Sequence, residues 1–169
     1  MEKRAEWKEI SPFETENALK LIGKDWMLIT VSDTDKVNAM TASWGCMGVL
    51  WGKPVAFCFI RPQRHTFGLA ESADRFSLCF MEEKYRTALT LCGKLSGRDH
   101  DKLKESGLSS EEIDSVPVIS EARMAIVCKK IYADLLKEES FIDKSLLSNY
   151  VAKDYHKMYV LEIEKVLVK

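Results

Sequence analysis

The chain has 169 residues, 46% hydrophobic and 30% charged, which suits one globular domain whose core can fold without disulfide or metal staples. Twenty-five basic residues against 26 acidic ones leave a formal charge of −1, without the basic excess of a nucleic-acid-binding domain. The polar first eight residues do not read as a secretory signal, and no run approaches the roughly 18 apolar residues of a membrane span.

In chain order, Ser11, Pro12 and Glu14 predict a helix start, with the helix running through Leu19 and Leu21 to a stop near Gly23. A buried strand is expected over 26–31, a polar turn over 32–36, and a returning strand over 37–44 that ends in the glycine-containing segment 45–48. Gly52 and Pro54 punctuate the chain before a strand over 55–60. Pro62 then pushes Arg61 towards extended geometry. A short helix over 66–73 and a strand over 75–81 follow. Tyr85, Ala88, Leu89 and Cys92 then recur at helical spacing within 84–95. Ser109, Ser110, Glu111 and Glu112 read as another helix cap. A strand over 122–135, a weak helix over 141–150 and a period-two strand over 159–168 complete the chain. Strands joined mostly by short turns, with helices interspersed, predict a single mainly β domain over 1–169, an antiparallel barrel with helical decoration.

Catalytic templates are absent: there is no Gly-x-Ser-x-Gly, no phosphate-binding P-loop, no Gly-x-Gly-x-x-Gly and no His-Glu-x-x-His. His65, His100 and His156 lack ligand spacing, and the five cysteines form no Cys-x-x-Cys pair, so neither a metal site nor a disulfide framework is expected. A reducing, cytoplasmic setting follows from that cysteine usage. Three segments are rich in polar donors. Residues 38–45 surround Trp44 with small and hydroxyl side chains; this suits a strand packing Ala and Ser on a helix, and also a backbone approaching a flat ligand. Residues 60–66 place Arg61, Arg64, His65 and Thr66 between a strand end and a helix start, which suits a phosphate monoester or simply surface arginines. Residues 92–102 read as a capped turn with alternating charges or as a third wall of a site.

In this order, the segments 38–45, 50–54, 60–66, 92–102, 128–132 and 153–159, with the buried strand at Trp26, resemble the flavin reductase-like family of FMN-binding split-barrel proteins, which includes flavoredoxin. The resemblance covers nearly the whole chain, although position 65, often tyrosine in that family, is histidine here. It implies a six-stranded antiparallel Greek-key split barrel, assembled as a homodimer with FMN near the interface. It assigns Asn38, Met40, Thr41, Ala42, Ser43 and Trp44 to the isoalloxazine and ribityl chain, and Arg61, Arg64, His65 and Thr66 to the phosphate end. Ser96, Gly97 and Lys102, with Cys92 nearby, would close another side, and Lys102 would act electrostatically. Tyr155, His156 and Tyr159 would belong to the groove or the dimer contact. The chemistry would be the flavin's own, with no catalytic side chain and no metal. Hydride would come from NAD(P)H to flavin N5, and electrons would pass to a partner protein, free flavin or oxygen. The alternative is an FMN electron carrier without nicotinamide activity. Neither reading involves nucleic acid or a membrane.

Overall fold

The computed structural model describes residues 6–33 and 36–169, so the polar start and part of the expected turn at 32–36 lie outside the described residues. Its strands are β1 (Lys8–Ile10), β2 (Met27–Ser32), β3 (Val37–Ala42), β4 (Gly45–Leu50), β5 (Lys53–Ile60), β6 (Arg75–Phe80), β7 (Ser110–Ile113), β8 (Val116–Ile119), β9 (Met124–Leu135) and β10 (Lys157–Val168). The α-helices are α1 (Ala18–Lys20), continued by a π-helical turn over Leu21–Asp25, α2 (His65–Ser72), α3 (Arg86–Lys94) and α4 (Lys102–Ser106); the helix expected over 141–150 is a 3-10 helix, Lys144–Tyr150. Among the described residues, no helix is long and apolar enough to cross a membrane.

The mainly β antiparallel architecture is as expected, with more strands than the six anticipated. One eight-stranded sheet runs β3-β2-β6-β9-β10-β5-β4, and β1 pairs with the far end of β10. β3 and β4 stand at opposite ends of this path, yet only Ser43 and Trp44 separate them in sequence. The chain therefore steps from one edge of the sheet to the other within two residues. This step draws the sheet into a barrel and leaves it split at Ser43 and Trp44. Gly45 is required there, because a Cβ at this position would lie 2.5 Å from the Phe57 carbonyl oxygen on the paired strand.

Two apolar layers hold the barrel. Ile29, Val31, Phe76, Leu78, Phe80, Ile126 and Tyr159 fill its interior. Leu28, Cys79, Leu89, Cys92, Val118 and Val127 form a second layer where α3 and the β7–β8 hairpin cover the outer face. β2 is thus buried on both faces, which accounts for its continuous apolar run. Each such Leu, Ile or Phe contributes roughly 1.5–3 kcal/mol on burial.

Three local expectations are corrected. The helix expected from Ser11 to Gly23 is broken. A capping box between Ser11 and Glu14 serves only the single turn Pro12–Glu14, and Asn17 then caps α1 anew through its side-chain oxygen. Segment 45–48, taken as the end of a strand over 37–44, belongs to the separate strand β4. Ser109 to Glu112 start no helix: Ser110–Ile113 is a strand, and Ser109 bonds through its N–H and hydroxyl to Glu121, twelve residues on.

Candidate flavin groove at the split of the barrel

The split opens into a cavity of about 230 Å³ along the end of β3. Met40, Thr41, Ala42, Ser43 and Trp44 form one wall, and Phe59, Arg61, Arg64 and His156 form the other. β3 pairs with β2 alone, so its second edge keeps backbone groups outside the sheet ladder. Thr41 Oγ1 instead donates a short hydrogen bond to the Leu89 carbonyl oxygen on α3, fixing the strand against that helix. Across the cavity, the His156 ring lies 5.0 Å from the Trp44 ring, and its Nδ1 is hydrogen-bonded to the Tyr150 hydroxyl at 2.9 Å. Burial, followed by the nearby Arg61 charge, pushes the His156 pKa down to about 4, so this ring is neutral near pH 7.

Arg64 joins this cavity to a second one of about 150 Å³, lined among others by His65, Thr66, Lys94, Ser96, Gly97 and Lys102. α2 begins here with Arg64 in extended geometry and no side-chain cap; the Phe67 N–H donates to the Arg64 carbonyl oxygen, and the first two helical residues, His65 and Thr66, line the cavity. No carboxylate lines either cavity among the described residues. Arg64 Nη2 is buried without a hydrogen-bond partner, and burial lowers the guanidinium pKa. Lys102 is 3% exposed, its Nζ donates to the Cys92 carbonyl oxygen at 3.1 Å, and its pKa falls to about 8, first through burial and then through Arg64. The His65 pKa is also lowered, mainly by burial and then by Arg98 and Lys102. A buried Lys102 and a half-buried Arg64 with one buried, unpartnered nitrogen, in a lining without an acid, form an arrangement that an anion would complete, because an unpaired buried charge costs far more than a paired one.

The flat wall, the free strand edge and the cationic end suit a planar heterocycle carrying a phosphate, so the residues present fit FMN. Of the residues singled out in the sequence, Met40 to Trp44, Arg61, Arg64, His65, Thr66, Ser96, Gly97, Lys102 and His156 come together around these joined cavities. Four do not line them. The Asn38 amide donates to Thr66 Oγ1 at 2.8 Å and is buried beneath Gly97. Cys92 is fully buried in the second apolar layer, where burial raises its thiol pKa. Tyr155 bonds Glu138, and Tyr159 sits inside the barrel with its hydroxyl donating to Glu71. Arg61 is already engaged: it pairs with Asp154, donates to the Asn149 carbonyl oxygen and lies over the Tyr150 ring. Sequence reasoning missed Phe59, Gln63, Lys94, Leu95 and Arg98 as lining residues. The outward alternation at the end of β5 would have flagged Phe59.

The fold and site together define an antiparallel split barrel with an anion-seeking groove at its closure. Residues 20–169 match the model of the flavin reductase like domain, and the chain belongs to that family. No curated protein sequence matches it. Among solved structures, it is similar to the FMN-binding domain of a flavin reductases-like enzyme from Shewanella baltica, at 16% identity over 96% of this chain and 77% of that one, with TM-score 0.70. It is also similar to flavoredoxin of Desulfovibrio vulgaris, at 21% identity over 85% and 69% of the two chains, with TM-score 0.67. A third similar structure is the NADH:FAD oxidoreductase SgcE6 of Streptomyces globisporus, at 14% identity over 86% and 74%, with TM-score 0.63. At these identities the likeness is one of fold.

Proposed function

We propose that this chain holds FMN in the groove along β3 and works as a flavin oxidoreductase, with hydride supplied by NAD(P)H and electrons passed to a protein, a free flavin or oxygen. The observation that carries this reading is the half-buried Arg64 at the junction of the two cavities, whose Nη2 is buried without a hydrogen-bond partner, together with the buried Lys102 in a lining that contains no carboxylate among the described residues. When bound, FMN supplies the hydride-accepting centre. The β3 edge and the Ser43 hydroxyl would orient the ring system, and Trp44, Phe59 and His156 would exclude water from one side of it. Arg64, Lys102 and the start of α2 would hold the phosphate. The engagement of Arg61 by Asp154 makes Arg64 the better phosphate ligand and leaves Arg61 to brace the wall that carries Tyr150 and His156. A second copy of the chain is the proposed cover for the exposed side of Trp44.

The test is a fluorescence titration of the apoprotein with FMN and with riboflavin, which lacks the phosphate. A charge-assisted hydrogen bond is worth about 1.5–3 kcal/mol, so Arg64→Ala is expected to weaken FMN by roughly ten- to a hundredfold while riboflavin changes little. Equal losses for both flavins would remove the phosphate from Arg64. Anaerobic bleaching of the bound flavin by NADH or NADPH is expected for the oxidoreductase; a bound flavin inert to both would leave electron carriage alone.

A further inference from the structure

We propose that Arg98 closes the phosphate end of the groove, so that the site accepts FMN and rejects FAD. The inference rests on the FMN reading above and adds a residue that selects between flavins. The smaller cavity has a floor and a mouth. Thr66 and Lys102 are buried and form the floor, whereas Gln63 and Arg98 are exposed and stand at the opening. Arg98 spans that opening, its Nη1 donating to the Gln63 carbonyl oxygen at 3.2 Å. The turn that carries it is anchored twice. The Arg98 N–H donates to Ser96 Oγ at 3.2 Å. Gly97 is wedged so tightly that a Cβ there would come within 2.2 Å of Asn38 Oδ1 and 2.8 Å of the His65 ring. The Asn38 amide in turn grips Thr66 at the start of α2. The arm is therefore attached to a turn with no room to slide towards α2.

A terminal phosphate can end in this space. FAD continues from the same phosphate through a second one to adenosine, and a group of that size fills a pocket of roughly 300–1,000 Å³. The cavity holds only about 150 Å³, and the exposed Arg98 and Gln63 that line it are tied together by a hydrogen bond. Charge favours FMN in the cavity separately from the Arg98 arm. A phosphate monoester carries about −1.5 to −2 at neutral pH, whereas each phosphate of a dinucleotide is a diester with a single charge. The cationic lining of Arg64, Lys94, Arg98 and Lys102, with no carboxylate among the lining residues, suits the more highly charged end.

The test uses the full chain, freed of flavin and titrated with FMN and FAD by fluorescence quenching, alongside Arg98→Ala and Arg98→Lys. Wild type is expected to bind FMN at least about a hundredfold more tightly than FAD, a difference of roughly 2.7 kcal/mol. Arg98→Ala should narrow that ratio by about tenfold or more through a gain in FAD affinity. Arg98→Lys keeps the charge but loses the planar arm, and should also gain FAD. Equal affinity of wild type for the two flavins, or an unchanged ratio in Arg98→Ala, overturns the gate while the FMN reading stands. Retained exclusion in Arg98→Lys would make charge the selector and also overturn it. A wild-type chain that binds neither flavin overturns the FMN reading and the gate with it.

Discussion

Lys102 illustrates how one buried residue sets opposite pH trends for stability and for binding. Its pKa falls from 10.5 to about 8, first because burial penalises the charge and then because Arg64 lies nearby. Between those two values the unfolded chain holds the proton more tightly than the flavin-free folded chain, so stability rises as pH climbs through that window. An anion at the phosphate end needs the protonated form, so FMN affinity should fall as pH rises above about 8. Lys102→Met is expected to flatten both trends. The measurements are denaturant midpoints and FMN titrations from pH 7 to 10 on both proteins. Wild-type FMN affinity that stays level across that range, as in Lys102→Met, would deny the ammonium a role in holding the phosphate.

At the scale of elements, function depends on β3 and β4 being one chain segment that changes sheet edge at Ser43 and Trp44. Gly45 makes that step feasible, because it lets β4 approach the Phe57 carbonyl of β5. Gly45→Ala should therefore overpack the joint and cost about 1–3 kcal/mol. In a domain of this size each kcal/mol lowers Tm by roughly 2–4 °C, a drop that differential scanning calorimetry resolves; an unchanged Tm would show that the joint can relax. Apolar runs made β2, β5 and β6 legible in the sequence, and alternation of apolar and polar residues did so for β9 and β10. β4 was hidden, because Gly45 and Gly48 imitate a turn and Val49 is the segment's single β-branched residue. The 109–112 stretch misled for a different reason. Its serines and acids have capping chemistry, but Ser109 takes its partner from Glu121 across the β7–β8 hairpin. The site followed the same logic. Clustered residues such as 40–44 and 64–66 could be read locally, whereas the capture of Arg61 by Asp154 links positions 93 residues apart and leaves no local trace.

At the scale of the whole molecule, the outer face beside the groove is more apolar than an isolated subunit requires. Val49, Trp51, Tyr132 and Leu135 are exposed together with Trp44. The Trp51 and Tyr132 rings meet at 6.2 Å, tying the β4–β5 turn to β9 across the sheet. Trp51 also pays for its position. It has φ of 51° and is followed by Gly52 at 70°, a two-residue turn with both angles positive. Such turns favour Asn-Gly, and a left-handed bulky residue costs about 1–2 kcal/mol. An exposed tryptophan held in a strained turn is readily explained if a second copy of the chain buries it. Sedimentation velocity should then show a dimer. Trp51→Asn separates the two effects, because asparagine suits the turn but removes the aromatic anchor. It is expected to leave the subunit as stable or more stable, yet to weaken self-association by roughly thirtyfold or more, as loss of an anchor worth at least 2 kcal/mol would. A wild-type chain that stays monomeric at every concentration would deny the subunit contact, and a Trp51→Asn dimer of unchanged affinity would place it away from Trp51. For the monomer, Trp44 would remain open to solvent on its outer side, and the groove would have to hold its ligand from a single subunit.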